Sequence, residues 1–367
     1  MTLLFGEGLP RDGLGLHLRF TKSGYPTDRV RDMKETITTT AAELMNGFLQ
    51  REKRYLWTDA YAVLNLLWLD EPAQVADLVD DVHRVLGRHR KDDSRDGWLS
   101  GASEEKGLRH PTQGGLRIGK PLPERSEAEA VNTELEWERD GQYFHYLTRW
   151  AHALWRAGDL DSRYVEWARE LMRTASEHFL YENGSDYRMY WKMSIDLTRP
   201  LVTSMGQHDP LDGLVTCLCL GDISEQFLHR YRTIVDRQDL VTTDPLGLGG
   251  MLSATSQLEH RPDEGLLHER LIKAALIGLA HYRASLGPQA SACGRLGFRE
   301  LGLAIGLRQC ADERLLPYRS LADEIVEFWS RPMHQKTESW QNHLDINEVM
   351  LATALLTESR TWERKPS

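Results

Sequence analysis

Strongly apolar helical stretches alternate along this chain with stretches that are apolar on one face only. Helices formed by the strongly apolar stretches have no polar face, so they must be buried on nearly all sides. Their first turns, by contrast, contain polar and aromatic residues. The six apolar stretches begin near Trp57, Gly141, Asp209, Asp244, Phe298 and Trp340.

Six further stretches have apolar residues every three or four positions and charged residues on the opposite face. In one of them, Tyr164, Trp167 and Leu171 form the apolar stripe, while Arg163 and Glu166 face away from it. This pattern predicts amphipathic helices with one side in water. They span about 31–50, 73–89, 161–180, 222–236, 266–284 and 316–330.

The order of the two kinds of helix predicts an all-α fold of twelve helices. Six buried helices would form an inner barrel and six amphipathic helices would surround it, which makes an (α/α)6 toroid. An open solenoid of stacked helical hairpins would alternate in the same way. Solenoids keep a fixed repeat length, however, and the spacing here is irregular, so the pattern favours the closed toroid.

Two long inserts interrupt the alternation, at 90–139 and 181–207. The first is rich in glycine, proline and charge, and the second is rich in aromatic residues. Long loops within a folded domain are usually functional or disordered. Because both inserts contain aromatic and basic residues, we expect ordered loops that cover one mouth of the barrel. Neither resembles a linker, so we expect a single domain over 1–367.

Composition narrows the classes of partner. The chain has 367 residues, 41% of them hydrophobic, and a net charge of -10. The long apolar stretches can therefore form one large core. An acidic chain without a basic run is a poor nucleic-acid binder. No stretch is long enough to span a membrane, and residues 1–15 lack the pattern of a secretory signal. We therefore expect a cytoplasmic protein.

The four cysteines do not have the spacing of a zinc site. They lie in apolar helical contexts, which favours reduced residues in the core. No other His, Asp or Glu spacing indicates a metal site, so we expect neither a metal nor a cofactor. The cysteines are Cys217, Cys219, Cys293 and Cys310.

The alternation of buried and amphipathic helices resembles the (α/α)6 toroid of the six-hairpin glycosidase-like superfamily. The resemblance covers most of the chain and rests on architecture, because the sequence contains no diagnostic motif. It implies a funnel at one end of the inner barrel, lined by the first turns of the inner helices and by the long loops. Since a fold does not determine a reaction, the candidate chemistry depends on which residues occupy those turns.

The most polar of these first turns is that of the third apolar helix. Gln207, His208, Asp209 and Asp212 lie within six residues. Asp209 and Asp244 each precede a proline, and an Asp-Pro pair is a common helix start in which the carboxylate caps free amides. Both aspartates could therefore be caps only. The group at 207–212 nevertheless exceeds what one cap needs, so we predict His208, Asp209 and Asp212 as catalytic residues.

The other first turns add carboxylates, amides and aromatic rings. A toroid would bring them to one polar pocket, although each could instead be a buried hydrogen-bond partner. Glu136 and Glu300 are the further catalytic candidates, with Asp59 and Asp345 as alternatives for the second carboxylate. The predicted substrate-binding residues are Trp57, Asp59, Gln142, Tyr143, His145, Gln207, Arg299, Trp340, His343 and Asp345.

Such a pocket suits a carbohydrate. Aromatic rings provide flat faces for sugar C–H groups, and a pair of carboxylates suffices for glycoside cleavage. A carboxyl separation of about 5 Å would indicate retention, and one of about 6.5 to 9.5 Å inversion. We expect a hydrolase acting on a small glycoside or an oligosaccharide. Replacing Asp209 or Asp212 with Asn should abolish turnover and leave the melting temperature nearly unchanged.

The glycine-rich segment 114–125 within the first insert has a second possible role. Arg117 and Lys120 could bind a carboxylate or phosphate of the substrate, which would then be anionic. The alternative is a lid whose basic side chains are solvated. The spacing of its glycines is that of neither a Walker loop nor a dinucleotide-binding loop.

Two rival functions remain open at this stage. One is a lyase, isomerase or cyclase acting on an isoprenoid or another nonpolar substrate, which would need a mostly apolar pocket. Residues 92–96 do spell DDxxD, a pattern similar to the magnesium-diphosphate motif of terpene synthases, but they lie in a charged loop segment. The other is a noncatalytic sugar-binding module whose carboxylates are bridged to Arg117 or Arg299.

Overall fold

The computed structural model describes residues 27–285 and 291–357, with side chains over 35–282 and 291–357. This range is predominantly helical. The expectation about a secretory signal concerns residues outside it. The helices are α1 (Thr27–Leu49), α2 (Leu56–Trp68), α3 (Pro72–Leu86), α4 (Glu104–Arg109), α5 (Thr133–Glu136), α6 (Phe144–Ala157), α7 (Ser162–Phe179), α8 (Asp209–Leu220), α9 (Glu225–Arg237), α10 (Pro245–Leu258), α11 (Gly265–Ser285), α12 (Gly297–Gln309), α13 (Arg319–Ser330), α14 (Pro332–Gln335), α15 (Glu338–Gln341) and α16 (Leu344–Thr357).

The six predicted apolar helices are α2, α6, α8, α10, α12 and α16. Each packs against the next in this order, and α16 packs against α2. The six amphipathic helices each pack against one of them: α3 on α2, α7 on α6, α9 on α8, α11 on α10, α13 on α12, and α1 on α16. The first amphipathic helix of the chain thus packs on the last apolar one.

The large core side chains lie between the two sets of helices. Trp329 of α13 is fully buried and stacks on Trp340 with ring centroids 5.4 Å apart. Trp150 of α6, equally buried, donates through its indole N–H to Nε2 of His83 in α3 at 3.1 Å. Polar atoms of buried aromatic side chains need such partners. One face of each amphipathic helix therefore forms the outer boundary of the core.

Helices α10 and α12 approach each other through glycines. A Cβ atom on Gly249 would lie 2.1 Å from the carbonyl oxygen of Gly302, and one on Gly306 would lie 2.4 Å from the carbonyl oxygen of Gly249. Such distances are far below van der Waals contact. The two backbones therefore touch directly, and side chains at these positions would separate the helices.

The second insert contains strands that the sequence analysis did not predict. The strands are β1 (Gln142–Tyr143), β2 (Leu180–Asn183), β3 (Asp186–Met189), β4 (Lys192–Met193) and β5 (Pro200–Val202). Strands β2 and β3 form a hairpin, and Gly184 in its turn has a φ of 65°. Strand β4 pairs with both β1 and β5. Because of this pairing, α6 begins at Phe144 instead of near Gly141.

Two smaller predictions need correction. The sixth apolar helix begins at Leu344, because Trp340 belongs to the separate short helix α15. Cys293 is exposed and lies in the 3-10 helix Ala292–Gly294, so it is not a core residue; Cys217 and Cys310 are buried. In the described part of the chain, no helix combines the length and hydropathy that a membrane crossing needs.

Candidate functional site

Helices α6 and α8 face each other through a row of polar side chains. On α6 the row consists of His145, Arg149 and His152, which are four and three residues apart and so share a face. On α8 it continues through Asp209 and Asp212. Nδ1 of His145 lies 3.7 Å from Oδ1 of Asp209. We call these five residues the polar seam.

Asp209 occupies the first turn of α8 but does not cap the helix. Its side chain is buried, and its Oδ2 atom has no hydrogen-bond partner. Burial raises the pKa of this carboxyl well above its usual range; the charge of Asp212 adds to the effect, and a hydrogen bond with the Gly206 backbone opposes it. The environment therefore favours the protonated acid, which can donate a proton.

Asp212 lies one turn further along α8. Burial raises its pKa to about 6, although the charge of Arg149 acts in the opposite direction. Near neutral pH Asp212 is therefore mostly ionised, while the surroundings of Asp209 favour its protonated form. Two carboxyl groups whose environments separate their protonation states are the arrangement that acid–base catalysis needs.

His145 is neutral at physiological pH. Burial, assisted by the charge of Arg149, lowers its pKa to about 4. Its ring stacks on Tyr143 with centroids 5.4 Å apart and lies nearly parallel to Trp191 at 6.2 Å. Since its buried Nδ1 atom has no hydrogen-bond partner, the imidazole can still bind a ligand or Asp209 after a small movement.

Aromatic side chains from three parts of the chain surround the end of the seam that is formed by His145 and Asp209. The hydroxyl groups of Tyr55 and Tyr146 share a hydrogen bond of 2.5 Å. Trp137, about half exposed at 47%, packs edge-on against Trp191 at 4.7 Å. Trp57 packs against Tyr146 at 6.5 Å. Together with Tyr143 these rings form an aromatic wall beside His145 and Asp209.

A small cavity lies at the other end of the seam, next to Arg149, His152 and Asp212, between α6, α8 and α10. Its volume of about 20 Å³ corresponds to about one or two water molecules. A sugar ring does not fit into it, so any sugar bound at the seam lies beside the aromatic wall. The cavity is lined by Thr148, Arg149, His152, Asp212, Val215, Thr216, Gly250, Ala254 and Gln257.

The predicted residues on α2 and before α8 have different surroundings. Asp59 is fully buried; its Oδ1 lies 3.5 Å from Arg54, and its Oδ2 accepts from the Tyr55 backbone at 2.9 Å. Burial raises the pKa of Asp59 to about 7 against the attraction of Arg54. Gln207 donates to the carbonyl oxygens of residues 239 and 241, and burial lowers the pKa of His208.

The N-termini of α10 and α12 contact each other through paired side chains. Asp244 caps α10 by accepting from the Gly247 backbone at 3.0 Å, and it pairs with Arg299 at 2.6 Å. Glu300 accepts from Arg295 at 2.8 and 2.6 Å and from the indole of Trp329 at 2.8 Å. Glu300 therefore points toward α13.

The N-terminus of α16 also has its own contacts. The His343 ring packs against Phe298 at 5.4 Å, and Asp345 is exposed and paired with Arg51. Within the described ranges, no hydrogen bond or ion pair joins Asp244, Glu300, His343 or Asp345 to the polar seam. The contacts of the polar seam and the aromatic wall join residues of α2, α6 and α8, and the charge of Asp244 at the start of α10 acts on His208 just before α8.

The predicted binding residues of the first insert mostly hold the loop in place. All three side-chain nitrogens of Arg117 are engaged, with Asp140 at 2.6 Å and with the carbonyl oxygens of Val85 and Arg88. These contacts leave Arg117 poorly placed to bind a substrate anion. Lys120, in contrast, lies over the ring of Tyr55 with its ammonium 5.5 Å from the centroid.

Two further predicted residues, Gln142 and Glu136, are buried and form hydrogen bonds with the two inserts. The amide of Gln142 accepts from the Leu116 backbone at 2.9 Å and donates to the carbonyl oxygens of Gly114 and Ile195. Glu136 is buried between Lys192 at 2.9 Å and Arg125 at 3.2 Å. Such complete pairing stabilises the loops beneath the aromatic wall.

The sequence analysis did not identify Arg149 and His152 of the polar seam or Trp137 and Trp191 of the aromatic wall. Arg149 had a visible signal, because it interrupts an otherwise buried helix four residues after His145. Trp191 had none, since the pairing of β4 determines its position. The DDxxD aspartates lie in a loop, where Asp92 pairs with Arg90 and Asp93 with Arg95.

No family model and no curated protein matches this chain. Among the described residues, no group of three or more His, Cys, Asp or Glu side chains could hold a metal ion.

Proposed function

We propose that the chain forms a closed (α/α)6 toroid like that of the six-hairpin glycosidase-like superfamily. The cyclic packing order supports this proposal, because α16 returns to α2 and each apolar helix has an amphipathic helix behind it. An open solenoid would leave its first and last repeats apart.

We further propose that the protein hydrolyses a glycoside at the polar seam. The pair Asp209 and Asp212, adjacent to the aromatic wall, is the observation on which this proposal rests. Asp209, protonated because of burial, would donate its proton to the leaving oxygen of the glycosidic bond. Asp212, mostly ionised near neutral pH, would either accept a proton from water or attack the anomeric carbon itself.

The aromatic wall supports a sugar as the substrate. Tyr143, Trp191 and Trp137 contact one another in a row, and Trp137 at its end is about half exposed. Sugar C–H faces pack well on such rings. A nonpolar isoprenoid would need an apolar cavity with an isolated acid. The seam instead contains five polar residues, so it favours a hydroxyl-rich ligand.

The test is a screen of the purified protein against 4-nitrophenyl glycosides and oligosaccharides, run in parallel with D209N and D212N. We expect product from the wild-type protein and a loss of about 100-fold or more in kcat for each variant. D244N serves as the matched control, because Asp244 is also a first-turn aspartate next to a proline but caps its helix; it should retain activity.

Three outcomes of this screen would count against the proposal. Equal activity of the wild-type protein and both seam variants would contradict the assignment of the catalytic residues. A complete absence of product would contradict hydrolysis. Binding of oligosaccharides without turnover would favour a noncatalytic sugar-binding module.

A further inference from the structure

Arg149 is a cation inside the helical assembly whose charge is incompletely balanced. It is half-buried on α6, and its guanidinium lies 5.2 Å from the centre of the Tyr61 ring. Among the described residues, no carboxylate oxygen lies within 4.0 Å of its nitrogens. By comparison, Arg95 contacts three carboxylates, those of Asp93, Glu124 and Asp196.

The groups around Arg149 provide little negative charge. Its neighbours on α6 are His145, which is partly buried, and His152, which is buried; the loss of contact with water lowers the pKa of each, so both are neutral. Asp209 on α8 favours its protonated form, and Tyr61 on α2 has a raised pKa. Helix α10 contributes Gly250, Ala254 and Gln257, which are uncharged. Asp212 is thus the one ionised partner among these groups, and it lies beyond ion-pair distance.

The cavity next to Arg149 has the size of a small anionic group. Its volume of about 20 Å³ is comparable to the space of one or two water molecules, which a carboxylate also occupies. A guanidinium has five N–H donors and can hold two carboxylates at once. A ligand carboxylate in the cavity and Asp212 could therefore share Arg149.

We propose that the substrates are glycosides of uronic acids, and that Arg149 binds the carboxylate of the sugar bound at the seam. This inference rests on the proposed function, since it names the substrate class of the same site. Arg149 then determines specificity, while Asp209 and Asp212 perform the cleavage.

A second cation, Lys120, lies beside the aromatic wall of the same site. The Lys120 ammonium lies over Tyr55, and the Tyr55 hydroxyl is bonded to Tyr146 beside His145. In an oligomer of uronic acids every sugar bears a carboxylate. A second carboxylate, on the neighbouring sugar, can therefore pair with Lys120 when the first is bound at Arg149.

Titration calorimetry tests this assignment independently of catalysis. The probes are D-glucuronate and D-galacturonate, their neutral counterparts D-glucose and D-galactose, and a trimer of D-galacturonate, each with the wild-type protein, R149Q, R149K and K120Q. We expect R149Q to weaken binding of the acidic probes by about tenfold or more and to leave the neutral sugars unchanged. R149K retains the charge, so it should keep a reduced preference for the acidic sugars. K120Q should weaken the trimer but not the monomers.

R163Q is the matched control, because Arg163 is an exposed arginine on α7 paired with Asp161. The R163Q variant should bind each probe as tightly as the wild-type protein does.

Wild-type protein that binds uronates no better than neutral sugars would overturn the proposal. So would unchanged uronate binding in folded R149Q or R149K. Hydrolysis of neutral glycosides but not uronides would overturn the inference and leave the proposed function intact. Uronate binding that depends on Arg149, without turnover of any glycoside, would support the binding site and contradict hydrolysis.

Discussion

Replacement of Asp212 by Asn should stabilise the protein at neutral pH, which replaces the expectation from the sequence that the melting temperature stays nearly unchanged. The pKa of Asp212 rises from 3.8 to about 6 on folding, so unfolding in this range releases a proton. A group whose folded pKa is raised makes the protein less stable as the pH increases from the unfolded to the folded pKa. Each pKa unit corresponds to about 1.4 kcal/mol, so at pH values above the folded pKa the protein is destabilised by about 3 kcal/mol. The attraction of Arg149 is already included in this net shift.

The assay is urea unfolding of the wild-type protein and D212N across about pH 4 to 8. The difference in unfolding free energy should be small at the acidic end and should grow in favour of D212N to about 3 kcal/mol at the alkaline end. D93N is a control for which the change in stability should have the opposite sign, because Arg95 holds the pKa of Asp93 at about 2.

D93N should therefore be less stable than the wild type throughout the range of about pH 4 to 8. The difference should shrink only below about pH 4, as the pH falls from the unfolded to the folded pKa of Asp93. A D212N variant that is less stable than the wild type at the alkaline end would refute the reasoning about Asp212. A stability difference that does not change with pH would refute it as well, because the carboxyl would then have the same pKa in both states.

Three further substitutions test the surroundings of the site. G249A places a methyl group against the Gly302 backbone and should cost about 1 to 3 kcal/mol, measured by urea unfolding; an unchanged stability would mean that α10 and α12 are not in direct contact. D244A removes a helix cap and should cost about 1 kcal/mol with full glycosidase activity, whereas lost activity in a folded variant would give Asp244 a functional role. Q142A leaves backbone groups of the first insert unpaired and should cost about 1 to 3 kcal/mol; hydrogen exchange near Leu116 should accelerate, and unchanged protection would contradict the anchoring role.

The helices were predictable from the sequence because periodicity is a local property. The bounds of α7 agree with the predicted ones within about a residue, and α8 begins at Asp209 as predicted. The strands were not predicted, since β1, β4 and β5 are very short and are determined by long-range pairing. The hairpin of β2 and β3 had a usable signal in Gly184 and Ser185, because a glycine followed by serine favours a two-residue hairpin turn.

The candidate site was only partly predictable. The group at 207–212 was recognised by its density of polar residues, but the sequence could not separate Asp209 from Asp244, which share the same Asp-Pro start. The structure separates them, because Asp244 caps its helix while Asp209 is buried without capping. The sequence around Glu136 does not indicate that this residue forms an ion pair, since its partner Lys192 is 56 residues away.

The pH dependence of kcat/KM for glycoside hydrolysis tests the proposed site most directly. If Asp212 must be ionised and Asp209 protonated, the profile is bell-shaped. Its acidic limb lies near pH 6, the pKa of Asp212, and its alkaline limb reflects the loss of the Asp209 proton. D212N should lose the acidic limb together with most of the activity. An acidic limb near pH 4, typical of an unperturbed carboxyl group, or a limb that persists unchanged in an active D212N variant would contradict catalysis at the polar seam.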